Sequence, residues 1–323
     1  MLRHAKSMIV LAAVVAIALA GCAPSAAPTK APAAPDKVKV ALLVPGVITD
    51  GSWCQDAYEG LKKAEADCGI EIAYTENVSQ DEQVEVMRTY AAEGYNIIHG
   101  HGGEYVDAAE TVAKEYPDMQ FVVSNSYVAH DNVSAIRLSY GHQGYLAGVL
   151  AAKMSKTGKI GVLSAEPLTA MVKGMEQYRA GAESVNPNIE VMEVYTGDWE
   201  DVALAQEASL ALIADGADVL LHILDAADKG MFNAGEDEGV WTIGTERDCS
   251  PLGPNYCIAS TIGAVDMLVY ESACGNVPWG EVATQDVSNY VYIEIRDQVP
   301  EDIKAFVLDV QDKMKSGELY VEP

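Results

Sequence analysis

Positive charge is scarce in this chain of 323 residues. It contains 21 Lys and Arg against 48 Asp and Glu, which leaves a formal net charge of -27 at pH 7. A surface of that sign repels nucleic acids and anionic lipid headgroups, because both are negatively charged themselves. The composition therefore excludes nucleic acid as a partner, and we interpret the excess of acid as a source of solubility.

The chain also lacks the cysteine pairs of zinc and redox motifs, because no Cys-x-x-Cys occurs among its 6 cysteines. Without Cys22 the remaining number is odd, so these cysteines cannot all pair within the chain. Cys249 and Cys257 bracket a turn-rich segment and are candidates for a small loop disulfide. Cys54 and Cys68 stand near the two ends of one predicted helix, roughly 20 Å apart, so they cannot bond to each other.

Motifs that carry catalysis are missing as well. The sequence has no Gly-x-Ser-x-Gly elbow, no phosphate-binding Gly-x-x-x-x-Gly-Lys loop and no His-Glu-x-x-His. Glu104 and Glu166 follow predicted strands without a nucleophile beside them. His99, His101 and His142 could suggest a metal, but hydrogen bonding to ligand or backbone is the favoured interpretation. We therefore predict no enzyme, cofactor or metal, and keep an extracytoplasmic nucleoside hydrolase as the weaker alternative.

No apolar run is long enough to span a bilayer comfortably, which takes roughly 20 residues. The longest one, Met8–Ala20, follows the basic residues Arg3 and Lys6 and ends in Leu19-Ala20-Gly21-Cys22. A basic head, a short apolar body and small residues before a cleavage point are typical of a secretory signal. A cysteine at this place resembles the lipobox of bacterial lipoproteins, in which the thiol is acylated.

The N-terminal segments therefore predict an extracytoplasmic protein on a lipid anchor. Residues 1–21 are expected to be a lipoprotein signal peptide and Cys22 to be the lipidated residue, which attaches the chain to the cell membrane. Residues 22–37 continue as an alanine- and proline-rich linker without large apolar side chains. Such a composition forms a semi-extended spacer.

From residue 38 onward short apolar runs alternate with amphipathic stretches. Val38–Val44 is a predicted buried strand, Ser52–Asp67 a helix and Ile70–Tyr74 the next strand. Strands that alternate with helices at this spacing predict α/β architecture with parallel sheets. The number of units is too large for one sheet, so we expect two Rossmann-like lobes.

The two lobes are assigned to discontinuous segments. Residues 38–138 plus 248–280 are expected to form the N-terminal lobe, and residues 139–247 plus 281–323 the C-terminal lobe. Ligands of such sheets bind outside the carboxyl ends of the strands. The predicted strand ends are polar and glycine-rich, and we expect them to line a single cleft between the lobes.

Four motifs at these strand ends resemble the basic membrane protein (BMP) family of substrate-binding lipoproteins, which includes purine nucleoside receptors of ABC importers. The first is Asp50-Gly-Ser-Trp-Cys-Gln55, and the second is Gly100-His-Gly-Gly-Glu-Tyr-Val-Asp107. The third is Gly141-His-Gln-Gly-Tyr-Leu-Ala-Gly148, and the fourth is Tyr195-Thr-Gly-Asp-Trp-Glu-Asp201. The resemblance covers essentially residues 37 to 320.

The resemblance implies a type I periplasmic-binding-protein fold, in which the chain crosses three times between two lobes. It also implies that Trp53 and Trp199 stack on a purine-like heteroaromatic ligand and that Asp50 accepts a hydrogen bond from it. Trp53 is also suitably placed for a hydrophobic staple at a helix start. The other candidate ligand-binding residues are Cys54, His101, Asn125, His142, Asp225, Glu246 and Asp248.

The expected partners are a small purine-like ligand, an ABC permease and, through the anchor, the membrane. A ligand sensor for a membrane receptor is the alternative with the same fold. Gly263 stands where the nucleoside-binding branch has a lysine for ribose recognition, which disfavours a ribose-bearing ligand. Arg247 either receives an anionic or carbonyl group or pairs with its acidic neighbours Glu246 and Asp248.

Overall fold

The computed structural model describes residues 37–323. The predicted signal segment, the lipidation site Cys22 and the linker up to Asp36 lie outside the described residues. Within the described part, no helix is long and apolar enough to cross a membrane.

Strands and helices alternate along the chain, as the hydrophobic pattern predicts. The strands are β1 (Lys39–Leu43), β2 (Glu71–Thr75), β3 (Ile97–Gly100), β4 (Gln120–Ser124), β5 (Val133–Leu138), β6 (Lys159–Ser164), β7 (Glu190–Tyr195), β8 (Val219–Ile223), β9 (Trp241–Glu246), β10 (Cys257–Gly263), β11 (Val282–Gln285) and β12 (Val291–Ile295). The helices are α1 (Trp53–Cys68), α2 (Gln83–Ala92), α3 (Val106–Ala113), α4 (Tyr140–Met154), α5 (Thr169–Val185), α6 (Val202–Ala214), α7 (Asp228–Glu238), α8 (Val265–Ala273) and α9 (Glu301–Ser316).

The strands form two six-stranded sheets, one for each lobe. The first has the order β11-β5-β4-β3-β1-β2 and the second β12-β10-β9-β8-β6-β7. All neighbours pair in parallel except β12, which runs antiparallel to β10. Central strands such as β4, β5 and β8 are buried throughout, because helices cover both faces of each sheet.

The chain passes three times between the sheets, after β5, after β10 and after β11. This differs from the predicted lobe boundaries in two places. Strand β10 was assigned to the N-terminal lobe but pairs with β9 in the second sheet, and β11 was assigned to the C-terminal lobe but pairs with β5 in the first. The hydrophobic pattern marks where a strand lies but carries no information about its neighbour, so it could not place these crossings.

Strand β11 itself is absent from the sequence-based assignment. Its four residues, Val-Ala-Thr-Gln, lie at the edge of the first sheet and are mostly half-buried or exposed. A short edge strand has neither the length nor the continuous apolar character that identified the others.

One disulfide joins Cys68, the last residue of α1, to Cys274, which follows α8, with their Cα atoms 5.8 Å apart. The candidate loop disulfide between Cys249 and Cys257 is not formed, because both cysteines are free and buried. The Cys249 thiol instead contacts His222 Nε2 and the backbone carbonyls of Thr245 and Arg247. The true pair is separated by 206 positions, a distance at which local spacing carries no signal.

Candidate functional site

A cavity of about 1000 Å³ lies between the two lobes. Its walls come from the segments that follow β1, β2, β3 and β4 in the first sheet and β6, β7, β8 and β9 in the second. The predicted cleft at the carboxyl ends of the strands is therefore present. A cavity of this size accommodates a ligand of one or two rings with room for substituents.

Trp53 lines the cavity from the first turn of α1 and is held from behind by His101. The two rings stack with centroids 4.0 Å apart and an interplanar angle of 24°. His101 Nε2 also lies 3.2 Å from the Trp53 carbonyl oxygen, and His101 Nδ1 lies 3.0 Å from the Ser124 hydroxyl. Burial holds the pKa of His101 well below its usual value, so the ring is neutral. This packing fixes the orientation of the indole before any ligand arrives.

Asp50 also lines the cavity, and its carboxylate caps the N-terminus of α1. It accepts hydrogen bonds from the backbone N–H groups of Ser52 (2.8 Å), Gln55 (3.0 Å) and Cys54 (3.0 Å). A carboxylate has about four acceptor sites, so one remains for a ligand donor. The charge is stabilised by the helix dipole, and Asp50 holds the Trp53 turn in place.

The Cys54 thiol reaches the cavity wall but is unsuited to nucleophilic chemistry. The residue is 2% exposed, and burial together with the neighbouring Asp50 carboxylate raises the pKa of its thiol. A thiol whose pKa is raised in this way stays protonated near neutral pH and is a poor nucleophile. Cys54 therefore contributes shape and polarisability to the wall.

Trp199 lines the cavity from the second lobe, in the loop between β7 and α6. Asp198 Oδ1 accepts from the backbone N–H groups of Glu200 and Asp201, and Asp201 in turn caps α6. The Trp199 carbonyl oxygen accepts from Ala227 N at 3.0 Å, which ties this loop to the one after β8. The loop is thus built by short side-chain turns that hold the indole at the cavity edge.

Asn125, Tyr140 and Glu246 form a hydrogen-bonded chain across the lobes. The Asn125 amide nitrogen lies 3.4 Å from the Tyr140 hydroxyl, and that hydroxyl donates to Glu246 Oε1. Asn125 and Glu246 have positive φ angles of 52° and 68°, so both sit in the left-handed region at the ends of their strands. Such strain is typical of functional loops, where it aims a side chain. Burial raises the pKa of Glu246 to about 7.

Of the two roles predicted for Arg247, the structure shows pairing with protein groups. The partners are not the predicted Glu246 and Asp248. Its Nη2 donates to Asp228 Oδ2 at 2.7 Å, and its Nη1 donates to Ser52 Oγ of the first lobe at 2.6 Å. Beside it, Asp225 Oδ1 lies 3.4 Å from the Trp53 backbone nitrogen. The guanidinium and Asp225 therefore connect the two lobes at one side of the cavity.

Three predicted ligand residues do not line the cavity. His101 lies behind Trp53, as described above. His142 in α4 is buried, and its Nε2 and Nδ1 bind the backbone of Val321 and Val287, so it anchors the C-terminal segment and the last crossing. Asp248 pairs with Arg296 and caps the turn at Ser250. The pattern showed polar residues near strand ends but not the direction of their side chains.

One cluster has the residue types of a metal site. His222, Asp228 and Cys249 are buried, and their donor atoms lie within 4.8 Å of one another. The guanidinium of Arg247 already neutralises Asp228, and burial lowers the pKa of His222 to about 3. In this structure the guanidinium of Arg247 supplies the positive charge that balances Asp228 in the cluster.

Sequence reasoning missed several lining residues. Gln83, in the first turn of α2, is 3% exposed and reaches the cavity, as do Tyr127, Leu168 and Met171. Glu104, which belongs to a strand-end segment expected at the cleft, and Glu166 line the cavity as well, although neither is among the predicted ligand residues. Their position after β3 and β6 was the available signal, whereas Gln83 lies on a helix with nothing in the sequence to distinguish it.

A protein-family model matches almost the whole described chain. The Bmp family model, described as ABC transporter substrate-binding protein PnrA-like, matches residues 37–314. The chain belongs to the Bmp family. The match confirms the resemblance to this family of ABC transporter substrate-binding proteins, and the two mostly parallel sheets agree with the type I fold that the resemblance implies. Substrate-binding proteins of ABC importers act outside the cytoplasm, where a small-molecule ligand and a permease are their partners.

Relatives of the Bmp chain carry different names. It is 33% identical over 229 residues to the transcriptional activator protein med of Bacillus subtilis, covering 71% of either chain. It is 26% identical over 298 residues to a purine-binding protein of Brucella abortus, covering 88% of this chain and 83% of that one. A solute-binding protein of an ABC transporter system from Aeropyrum pernix superposes with a TM-score of 0.76 at 19% identity, over 88% and 92% of the two chains.

Proposed function

We propose that this Bmp protein is the lipid-anchored receptor of an ABC importer and that it binds a purine-like heteroaromatic ligand between its lobes. The observation that supports the proposal is one tryptophan on each side of the cavity, with Trp53 already held by His101. A planar ring stacked on an aromatic side chain gains about 0.5–1.5 kcal/mol beyond the area that it buries. A relative named purine-binding protein supports the same ligand class.

The base is favoured over the nucleoside as the ligand. A Cβ atom at Gly263 would lie 2.7 Å from the Gln143 amide nitrogen, so the buried carboxamide fills the space where the nucleoside-binding branch has a lysine. Ribose hydroxyls would therefore miss the charged partner that the branch provides. An unmatched buried polar group costs about 1–3 kcal/mol, which separates base from nucleoside.

Isothermal titration of the domain without its signal segment tests the ligand class. Adenine, guanine, hypoxanthine and their nucleosides are the probes, and the Trp199→Ala variant is expected to lose about 2 kcal/mol of binding free energy. Trp279→Ala is the matched control, because Trp279 is 52% exposed and does not line the cavity. If no purine derivative binds, or if Trp199→Ala binds as well as the parent, the proposed ligand is wrong.

The anchor is tested separately in the producing cell. Substitution Cys22→Ala should move the protein from the membrane fraction to the soluble fraction, and acylation should disappear from the mass spectrum. An unchanged membrane fraction would contradict the lipid anchor.

Regulation is the second candidate, because the relative with 33% identity is named a transcriptional activator. Closure of the lobes around a ligand lets a binding protein dock on a permease, and the same closure can report ligand occupancy to a membrane-bound sensor protein. The net charge of -27 argues against direct contact with DNA. Crosslinking in the native membrane distinguishes the candidates, since a transporter predicts a permease adduct and a sensor predicts a different membrane protein.

A further inference from the structure

We propose that the cavity selects a heteroaromatic ligand that carries a net positive charge. This inference rests on the proposed function and specifies the charge of its ligand. It follows from three features of the same cavity: the sign of its charged walls, the two tryptophans that line it and one glutamine amide that opens onto it.

Carboxyl groups are the only acidic or basic side chains of Asp, Glu, Lys, Arg or His type in the described cavity wall, which contains no Lys, Arg or His. The six residues that carry them are Asp50, Glu104, Glu166, Glu200, Asp225 and Glu246. They come from both lobes, so a ligand between the lobes has negative charge on two sides. Low-dielectric walls focus such a field onto the enclosed space.

Three of these six carboxylates accept hydrogen bonds from the protein. Asp50 is stabilised by backbone N–H groups, Asp225 receives one such group from Trp53, and Glu246 accepts from the Tyr140 hydroxyl. Glu104, Glu166 and Glu200 have no ion-pair partner among residues 37–323.

The nearest cation does not face the ligand space. Arg247 is held by Asp228 and Ser52 and is absent from the cavity wall. Arg247 offsets part of the charge of Asp225 and Glu246, and the remaining negative charge of the cavity is left for its occupant to balance.

The aromatic walls suit a cation as well as a neutral ring. Trp53 and Trp199 both line the cavity, and indole has the strongest cation–π attraction of the aromatic side chains. The carboxylates of the same cavity wall add to this attraction, because carboxylates and indole rings both attract a positively charged ligand. A phosphate or carboxylate in the ligand would meet repulsion from the acids and from the electron-rich ring faces.

Gln83 gives independent evidence that the cavity is built for a polar ligand. Its side chain is 3% exposed, lines the cavity and makes no hydrogen bond with residues 37–323. The amide atoms are not enclosed by protein but open onto the cavity, where a ligand or water can complete their hydrogen bonds. The amide accepts or donates to the ring edge, while the carboxylates balance the charge.

The protonation of the site agrees with an occupant that brings positive charge. Burial raises the pKa of Glu246 to about 7, and it raises the pKa of Asp225, with the Asp50 charge adding to the effect. A bound cation would lower both pKa values, so its binding would release protons and strengthen as the pH rises.

Two isomers of dimethyladenine test the charge directly. The 1,9-dimethyl isomer is protonated and cationic near neutral pH, whereas the N6,9-dimethyl isomer is neutral and has the same atoms apart from that proton. We expect the cation to bind the domain at least roughly tenfold more tightly at low salt. The preference should shrink as ionic strength rises, because salt screens the field of the walls. Adenosine monophosphate should not bind.

Variants show which residues produce the preference. Glu246→Gln, which keeps a hydrogen-bond acceptor for Tyr140, should reduce the ratio of the two affinities. Glu238→Gln removes the same charge from an exposed helix end and should leave the ratio unchanged.

The outcomes separate the two proposals. Equal or tighter binding of the neutral isomer overturns the charge inference and leaves the proposed function standing. Binding of adenine without binding of either isomer would also overturn the charge inference and leave the proposed function standing. Failure of every purine derivative removes both proposals together.

Discussion

At the scale of single residues, His101 shows how a predicted ligand contact becomes a positioning residue. It carries the right chemistry and follows the right strand, but its ring lies under Trp53 and its nitrogens face Ser124 and the Trp53 carbonyl. Its effect on a ligand passes through the indole that it supports. The carboxylate of Asp50 has a similar supporting role, because it holds the backbone that carries Trp53.

The substitution His101→Ala should weaken ligand binding by about 1 kcal/mol, since the indole loses the stacking partner that fixes its rotamer. His101→Phe should restore most of the affinity, because a phenyl ring keeps the stacked surface. Titration calorimetry of both variants measures this. A loss of affinity that phenylalanine does not repair would indicate direct contact between His101 and the ligand.

Glu246 should make the stability of the free protein depend on pH. Its pKa is about 7 in the folded chain against an ordinary 4.5, owing first to burial, with Tyr140, Asp225, Arg247 and Asp56 as the charged and polar groups that modify it. Between these values the folded state binds the proton more tightly than the unfolded state. The free energy of unfolding therefore falls as the pH rises through this range.

Glu246→Gln stays neutral and should remove this loss. Thermal unfolding near pH 4 should give similar stability for variant and parent, and near pH 8 the variant should be more stable by about 3 kcal/mol, which is the free energy of a shift from 4.5 to about 7. An identical pH dependence for both proteins would show that the carboxyl titrates normally.

At the scale of elements, the glycine-rich motif that opens α4 serves packing. A Cβ atom at Gly144 would lie 2.1 Å from the Gly174 carbonyl oxygen, and one at Gly148 would lie 2.0 Å from the Tyr178 carbonyl oxygen. Both neighbours belong to α5, so the two helices cross with their backbones in contact. The motif supports the resemblance to the family without touching the cavity.

Gly148→Ala should therefore destabilise the second lobe by roughly 2–3 kcal/mol, because the added methyl group meets backbone that cannot move alone. Lys156→Ala, on the exposed segment after α4, is the control and should be neutral. Chemical denaturation measures both. A stable Gly148→Ala variant would mean that the helices separate without cost.

At the scale of the whole molecule, the lobes are already connected across the cleft. Arg247 of the second lobe bonds the Ser52 hydroxyl of the first, and the chain from Asn125 through Tyr140 to Glu246 spans the same gap. Closure of two lobes around a ligand is a general device of binding proteins. These bonds favour the closed arrangement before the ligand adds its own contacts.

Ser52→Ala removes the Arg247 contact while the guanidinium keeps its pairing with Asp228. We expect a larger radius of gyration of the free protein in small-angle scattering and a loss of about 1 kcal/mol in ligand binding. Ser316→Ala, at the exposed end of α9, is the control. Unchanged scattering and affinity would show that the bond does not bias closure.

The order of helices and strands, the α/β class, the two lobes and the cleft at the strand ends were predictable from the sequence. Each depends on local periodicity or on short motifs, and local chemistry is enough to specify them. The place of Trp53, Trp199 and Asp225 in the cavity wall was predictable too, because each lies in the polar segment that follows a strand; their contact with a ligand stays a prediction.

Only the tertiary structure decided the rest. The exchange of β10 and β11 between the lobes, the Cys68–Cys274 bond and the partners of Arg247 all join segments far apart in the chain. The side chain of Gln83 points toward the cavity and that of the buried His142 points away from it, toward Val321. Both directions depend on which neighbours surround the side chain. Packing sets those directions, and a pattern along one chain does not encode which distant surface will meet it.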